Sequence, residues 1–298
     1  MPMHHPIFEK FPCWEGEVEA GLSANFLGVL TRDRFFTMME KNPCRRHVKT
    51  SLPAFDEEYF EWIDVLESIA LAHNDFTMIE LGAGYGRWMV HATAALRSTT
   101  GIPYRLIGVE PEPTHFKWIK THFKDNNIVA RKHQLIKAAA ADHDGWTWFY
   151  IGRPDEWYGQ AIAPNIKAGA LREVKAWFTK RKYIGNEQVK KVKSISLNTL
   201  LRPLERVDLI DLDVQGAELA VLEAASKQLG GKVKRVHIGT HGQDIERGLR
   251  ALFQGLGWEK LNDYACNSEC ETPYGRIKFG DGVQTWVNPE IGRAALRR

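Results

Sequence analysis

Two short segments hold residues whose types and spacing suit chemistry, and each reads as a strand end turning into a helix. The first is Glu80-Leu81-Gly82-Ala83-Gly84-Tyr85-Gly86. Glycines in such a turn let the backbone approach a ligand closely and adopt conformations closed to residues with a Cβ. A dinucleotide site wants Gly-x-Gly-x-x-Gly with the pyrophosphate on the helix N-terminus. Here the third glycine falls one position early, and Arg87 stands where the dinucleotide pattern needs it. The carboxylate of Glu80 would repel a pyrophosphate, but it suits the cationic amino-acid end of S-adenosylmethionine, met through water or backbone amides. Glu110 then closes the apolar run Leu106–Val109. An acid there is placed to accept both ribose hydroxyls of a nucleoside. Together these features predict an S-adenosylmethionine site formed by Glu80, Gly82, Gly84, Tyr85, Gly86 and Glu110. Asp142, after Ala139-Ala140-Ala141, is a candidate for the adenine amine, although Asp142-His143-Asp144-Gly145 is equally ordinary turn chemistry.

The second segment is Val207-Asp208-Leu209-Ile210-Asp211-Leu212-Asp213-Val214-Gln215-Gly216-Ala217-Glu218. Asp208 reads as a residue at the surface or the strand's start. Burying Asp211 and Asp213 without a partner would cost several kcal/mol, so a cation, a basic partner or a raised pKa is expected beside them. Open α/β sheets bind ligands at the carboxyl ends of their strands, where Asp213 falls. Strand alternation along Val236-His237-Ile238-Gly239-Thr240-His241 puts His237 and Gly239 on one face and His241 beyond the end. A histidine titrating near 6.5 can take a proton from an attacking hydroxyl. His241 is therefore the candidate general base, with Asp213 orienting it or the substrate; the alternative is that His241 caps the following loop. A further alternative is a divalent cation held by Asp211, Asp213 and a histidine, lowering the hydroxyl's pKa. That ligand set is incomplete, and the metal-free reading is preferred.

These segments need a sheet to hold them. From Phe76 onward, short apolar runs alternate with helical patterns, the signature of a parallel α/β sheet. Strands are expected at Thr77–Leu81, Tyr104–Glu110, Leu135–Ala141, Val207–Leu212 and Val233–Ile238, with two more at Trp258–Tyr264 and Val283–Val287 joined by a long loop. Helices are expected at Asp56–Ala72, capped by Asp56, at Trp88–Leu96, at Thr114–Phe123 with Thr114 as cap, at Ala217–Leu229 and at Asp244–Leu256. A final antiparallel strand inside the sheet separates a class I methyltransferase from a dinucleotide domain. The expected fold is thus a doubly wound, Rossmann-like α/β sheet of that class. Residues 1–55 would form an N-terminal helical extension packed on a domain spanning 56–298. An insertion at about 153–193 would form a lid or recognition element, with a helix at Ala170–Lys182 and a disordered loop after Arg181. Trp88, Trp157 and Tyr158 are candidate acceptor-pocket aromatics.

Asp213-Val214-Gln215-Gly216-Ala217-Glu218, preceded by Ser194-Ile195-Ser196-Leu197-Asn198-Thr199-Leu200-Leu201, resembles the signature of FkbM-family methyltransferases. The resemblance runs from about Phe76 to Asn288. It implies an O-methyltransferase acting on hydroxyls of sugars, polysaccharides or polyketide-type natural products. The family commonly carries lysine two residues before the aspartate; here that residue is Asp211, which replaces a charge partner by a like charge.

Composition narrows the rest. The 298 residues carry 40 basic and 37 acidic side chains, a formal net charge of +3 that favours neither nucleic acid nor an anionic membrane as an obligatory partner. The basic stretch Lys180-Arg181-Lys182, with Lys190, Lys191 and Lys193 nearby, reads as a solvated loop face. No apolar stretch approaches the roughly 20 residues that span a bilayer, and Met1–Pro6 does not resemble a secretory signal. Cys13, Cys44, Cys266 and Cys270 suggest neither a disulfide framework nor a zinc site, so a cytoplasmic protein with free thiols is expected. The partner expected is a small-molecule or saccharide acceptor. Two rival functions are a nicotinamide-dependent oxidoreductase and a non-catalytic nucleoside-binding subunit.

Overall fold

The structure, a computed structural model, describes residues 3–36, 42–152, 161–162 and 188–291. At the N-terminus, one-turn 3-10 helices at Pro6–Lys10 and Asp33–Phe35 accompany two small antiparallel pairs, β1 (Glu15–Val18) with β4 (Arg46–Lys49) and β2 (Leu22–Ala24) with β3 (Leu30–Arg32). Strand pairs stand where a helical lead-in was expected. Aromatic rings fasten this region to the helices behind it. Phe8 stacks on Tyr59 at 5.2 Å, Phe26 meets Trp62 edge-on at 4.8 Å, and Phe35 stacks on Trp118 at 4.8 Å.

The helix α1 (Glu58–Ala70) follows Glu57, which makes no side-chain capping bond, while the expected cap Asp56 stands one residue earlier and accepts from Tyr59 N through its backbone carbonyl at 3.2 Å. It leads into β5 (Phe76–Leu81), then α2 (Arg87–Thr99), β6 (Tyr104–Val109) and α3 (Pro113–Asp125). The cap of α3 is Glu112, accepting from His115 N at 2.6 Å, and not Thr114; Pro113 fills the first helical position, where its missing N–H costs nothing. β7 (Gln134–Ile136) follows and is parallel to β6.

After β7 the chain leaves the sheet sooner than the sequence pattern implied. Ala138 N donates to Ile136 O at 3.1 Å, a three-residue turn centred on Lys137. The expected single strand therefore splits. Its second half, β8 (Ala139–Ala141), joins a small sheet in the order β8-β10-β9, with β9 (Gly145–Ile151) and β10 (Gln188–Ser196). Residues 188–193, expected in a disordered connector, are the start of β10 and pair with β9. Trp157, Tyr158, the helix expected at Ala170–Lys182 and the Lys180–Lys182 stretch lie outside the described residues.

The chain continues through α4 (Leu197–Leu201), β11 (Val207–Leu212), α5 (Glu218–Ala224), α6 (Ser226–Lys232), β12 (Val233–Thr240) and α7 (Gln243–Gly255). The expected helix 217–229 is interrupted at Ala225, whose φ of -107° and ψ of 5° leave the helical region. β13 (Glu259–Tyr264) and β16 (Gly282–Val287) end the sheet, and their connection carries a hairpin, β14 (Ser268–Thr272) with β15 (Gly275–Phe279).

The seven-stranded sheet runs β13-β16-β12-β11-β5-β6-β7. β16 lies antiparallel between β13 and β12, and the five strands from β12 to β7 are parallel. Strands buried on both sides need cover on both. Met78, Leu106 and Leu209 pack against α1, α2 and α3, while their neighbours Ile79, Ile107 and Ile210 pack against α4, α5 and α7. This is the class I methyltransferase sheet. Among the described residues no helix is long and apolar enough to cross a membrane, and all four cysteines are free.

Candidate active site

The glycine loop is folded back on β6. Gly82 N and Ala83 N both donate to Val109 O at 3.0 Å. Gly82 has φ +80°, and a Cβ there would lie 1.7 Å from the carbonyl oxygen of Asp213, so the loop seats on the end of β11 only because this residue is glycine. Gly84 and Gly86 also have positive φ, 53° and 75°.

The two acids framing the loop turn inward. Glu80 accepts from Trp88 N at 3.2 Å and Met89 N at 2.9 Å, capping α2 from the end of the preceding strand. Burial and the nearby Asp211 hold its carboxyl well above the usual range, against the pull of those two amides. Glu110 accepts from Gly84 N at 2.8 Å and Glu112 N at 2.7 Å. Burial, reinforced by Glu112 and Asp213, pushes it up to about 8. Its contact with Gly84 ties the second acid directly to the glycine loop.

The other expected cofactor residues are placed differently. The ring of Tyr85 packs into an aromatic cluster with Phe35 at 5.3 Å, Phe36 at 5.4 Å and His122 at 5.1 Å, so its side chain is committed there. Asp142 is exposed and contacts His143 Nδ1 at 2.6 Å. Trp88, a candidate pocket aromatic, is a core residue set edge-on to Trp62 and His91, each at 5.0 Å.

Asp211 and Asp213 fall into separate clusters. Asp211, expected in the catalytic group, is buried under α1, grouped with Glu61 and His237, and so is withdrawn from an acceptor. Asp208, expected near the surface, is also buried; it accepts from Thr77 N at 2.9 Å and Lys234 Nζ at 2.7 Å. Asp213 lies just past the strand end, with its side chain 51% exposed. Gln215 Nε2 donates to its Oδ1 at 2.8 Å, and Gln215 and Gly216 turn the chain with φ of 53° and 105°.

Beside Asp213 stands His241, with Nε2 3.4 Å from Asp213 Oδ1 and 3.4 Å from Asp281 Oδ1. On its far side Nδ1 lies 2.7 Å from Glu218 Oε1. Glu218 is fully buried, and the same Oε1 accepts from Gly216 N at 2.8 Å. Burial alone would lower the imidazole's pKa, but bonding to Asp281 and Glu218 and the charge of Asp213 hold it well above the ordinary histidine value. Partial loss of solvent around Asp213, with Asp281 and Glu218 nearby, pushes that carboxyl up to about 6 even against the pull of His241. The cation set expected from Asp211, Asp213 and a histidine does not form; Asp213, Glu218 and His241 converge within 4.8 Å instead.

Sequence reasoning missed Asp281 and Glu61 and gave Glu218 only a helix-terminus role. Asp281 is brought in by a turn that Glu57 holds, accepting from Gly280 N at 2.5 Å and Asp281 N at 3.3 Å. The one sequence signal for it was the Asp281-Gly282 step that opens β16.

The glycine cradle, an acid on the loop at the end of β6, and a charged cluster past the ends of β11 and β12 define a class I methyltransferase. The model of the methyltransferase FkbM domain matches residues 80–256, and the chain belongs to that family. A relative from Jannaschia sp. (strain CCS1), provisionally named a methyltransferase, is 26% identical over 285 residues, covering 95% of this chain and 98% of its own. Among solved structures, the methyltransferase FkbM from Methylobacillus flagellatus KT is similar at 13% identity, with 78% of this chain and 55% of that one covered and a TM-score of 0.42. The precorrin-6y C5,15-methyltransferase from Geobacter metallireducens GS-15 is similar at 12% identity, with coverage of 75% and 86% and a TM-score of 0.37. The chain is a methyltransferase, and its fold implies S-adenosylmethionine as methyl donor.

Proposed function

We propose that the chain O-methylates a hydroxyl on a saccharide or natural-product acceptor, with Asp213 as the proton acceptor and His241 as its charged partner. The observation that carries this reading is the 3.4 Å approach of His241 Nε2 to Asp213 Oδ1, next to the loop that Gly82 seats against Asp213. The residues present fit the donor. Gly82 brings the glycine loop hard against the end of β11, and Glu110, bonded to Gly84 of that loop, is assigned to the ribose. Glu80 supports the site by capping α2. When bound, S-adenosylmethionine supplies a methyl carbon on a sulfonium.

The chain's own part is to orient the acceptor oxygen in line with that carbon and to remove its proton. With the donor bound, the oxygen–carbon bond would form as the carbon–sulfur bond breaks, its electron pair staying on sulfur, and Asp213 would take the hydroxyl proton. A carboxyl titrating near 6 is mostly ionised at neutral pH and can accept it. In this reading His241, whose protonated form its carboxylate neighbours favour, acts as the charged partner and not as the base. It keeps Asp213 in place and offsets the charge of the acids around it.

Asp213→Asn tests this. Methyl transfer to a panel of saccharide and phenolic hydroxyl acceptors should fall about 10²- to 10⁴-fold with donor affinity retained. Full turnover in that variant would remove Asp213 from the chemistry. Transfer confined to amine or carbon acceptors would overturn the hydroxyl reading.

A further inference from the structure

The small sheet β8-β10-β9 carries a face that the chemistry above does not use. Trp146 and Trp148 project from the same side of β9, 56% and 43% exposed. Directly across the antiparallel register stand Lys193, opposite Trp146, and Lys191, opposite Trp148, both exposed. Lys191 Nζ also lies 5.8 Å from the Trp146 ring. The strand does not need these indoles for anchorage, because Phe149 and Tyr150 are buried and Tyr150 N is bonded to Ala161 O at 2.9 Å. Exposed indoles forgo the burial that tryptophan ordinarily gains, and two side by side make a platform.

Along the chain the face follows closely on the strand end beside Glu110. Gly145 begins β9 directly after Asp142–Asp144, and the turn that launches β8 accepts Glu110 N through Ile136 O at 3.0 Å. Same-side residues on a strand are about 6.5 Å apart, so the two rings form successive flat apolar surfaces, each with an ammonium beside it. Flat rings suit the C–H faces of sugars, and the lysines suit acid groups along the chain. A polyphosphate backbone would call for a broader basic surface than two lysines.

We propose that Trp146, Trp148, Lys191 and Lys193 bind an anionic saccharide chain and hold it beside the methyl-transfer cleft. This rests on the saccharide reading of the acceptor, but binding is measured separately from transfer. The full-length protein is titrated, without donor, with alginate and heparin as polyanionic saccharides. Dextran is the neutral saccharide, with poly(U) and phosphatidylglycerol vesicles as other polyanions. Tryptophan quenching and cosedimentation report binding. At least one acidic saccharide should bind ten times more tightly than dextran, poly(U) or vesicles. W146A/W148A and K191Q/K193Q should each weaken that binding tenfold or more, with donor affinity and Tm unchanged. Equal binding of dextran, tighter binding of poly(U) or vesicles, no saccharide binding, or variants that bind like wild type would overturn it. If the hydroxyl chemistry is wrong and the face is right, acidic saccharides still bind but are not methylated. If the face alone is wrong, W146A/W148A methylates saccharides like wild type.

Discussion

Glu61 of α1 and Asp211 of β11 face each other as a hydrogen-bonded pair of carboxyls beneath the active-site strands. Two carboxylates cannot share a buried bond while both are ionised, so the pair keeps a proton. The surroundings are acidic and basic in turn. His237 Nδ1 lies 2.7 Å from Asp64 Oδ2, Arg235 bridges Asp64 and Glu67, and Arg87 pairs with Glu58. An acidic face of α1 is thus bonded to β11, β12 and α2, directly behind Asp213 and His241.

Burial, and then Asp211, hold Glu61 well above its ordinary value, and this fixes the sign of a stability change. A raised acid contributes stability that is complete below its unfolded pKa, about 4.3, and is lost as pH rises through its folded value. Urea unfolding should therefore show this contribution falling as pH rises above about 4.3, the unfolded value. E61Q supplies the shared hydrogen permanently and should flatten part of that slope at little cost. D211A should lose about 1–3 kcal/mol by leaving Glu61 without its partner. An unchanged slope in E61Q would show that the pair does not hold the proton.

The pH dependence of transfer follows from the other cluster. Asp213 must be ionised to accept a proton, and it titrates near 6. With saturating donor, kcat/KM should rise about tenfold per pH unit below 6 and level off above it. His241→Gln removes the charge that favours the ionised form of Asp213, so the rising limb should move to higher pH. A merely structural role for His241 would lower the rate without moving the limb.

Much of this arrangement was legible in the sequence. The strand ends at Leu81 and Leu212 follow from apolar runs closed by glycine turns, and the glycine spacing separated the donor from a dinucleotide. Glu110 was readable because one strand places it. The rest depended on contacts distant along the chain. Glu61 reads as an exposed acid on an amphipathic helix until α1 docks over β11. Asp281 reaches His241 only because Glu57, 224 residues earlier, holds its turn. The role of His241 likewise turned on neighbours that no local pattern shows, Glu218 beneath it and Asp281 beside it.

Gly82 and the two framing acids should separate cleanly by variant. Gly82→Ala costs about 1–2 kcal/mol from its left-handed backbone alone. The clash with Asp213's carbonyl adds to that and pushes the loop off β11. Calorimetry should find donor binding lost and Tm lowered together.

Glu80 and Glu110 carry different duties and so should fail differently. Glu80 spends both its oxygens on the amides of α2, so E80A should lower stability by about 1–2 kcal/mol and affect donor affinity mainly through the loosened helix. Glu110 also accepts with both oxygens, from Gly84 N and Glu112 N, but its bond to Gly84 ties it to the glycine loop itself, where the proposed function puts the ribose. E110A should weaken donor binding by about 10- to 100-fold, the equivalent of one or two hydrogen bonds to a charged acceptor. Because Glu110 titrates near 8 before donor binds, binding that requires its ionised form should release a proton and tighten from pH 6 to 8. Calorimetry in buffers of different ionisation enthalpy measures that proton directly. If E80A and E110A weaken donor binding equally, with Tm unchanged in both, the division of labour between the two acids is wrong.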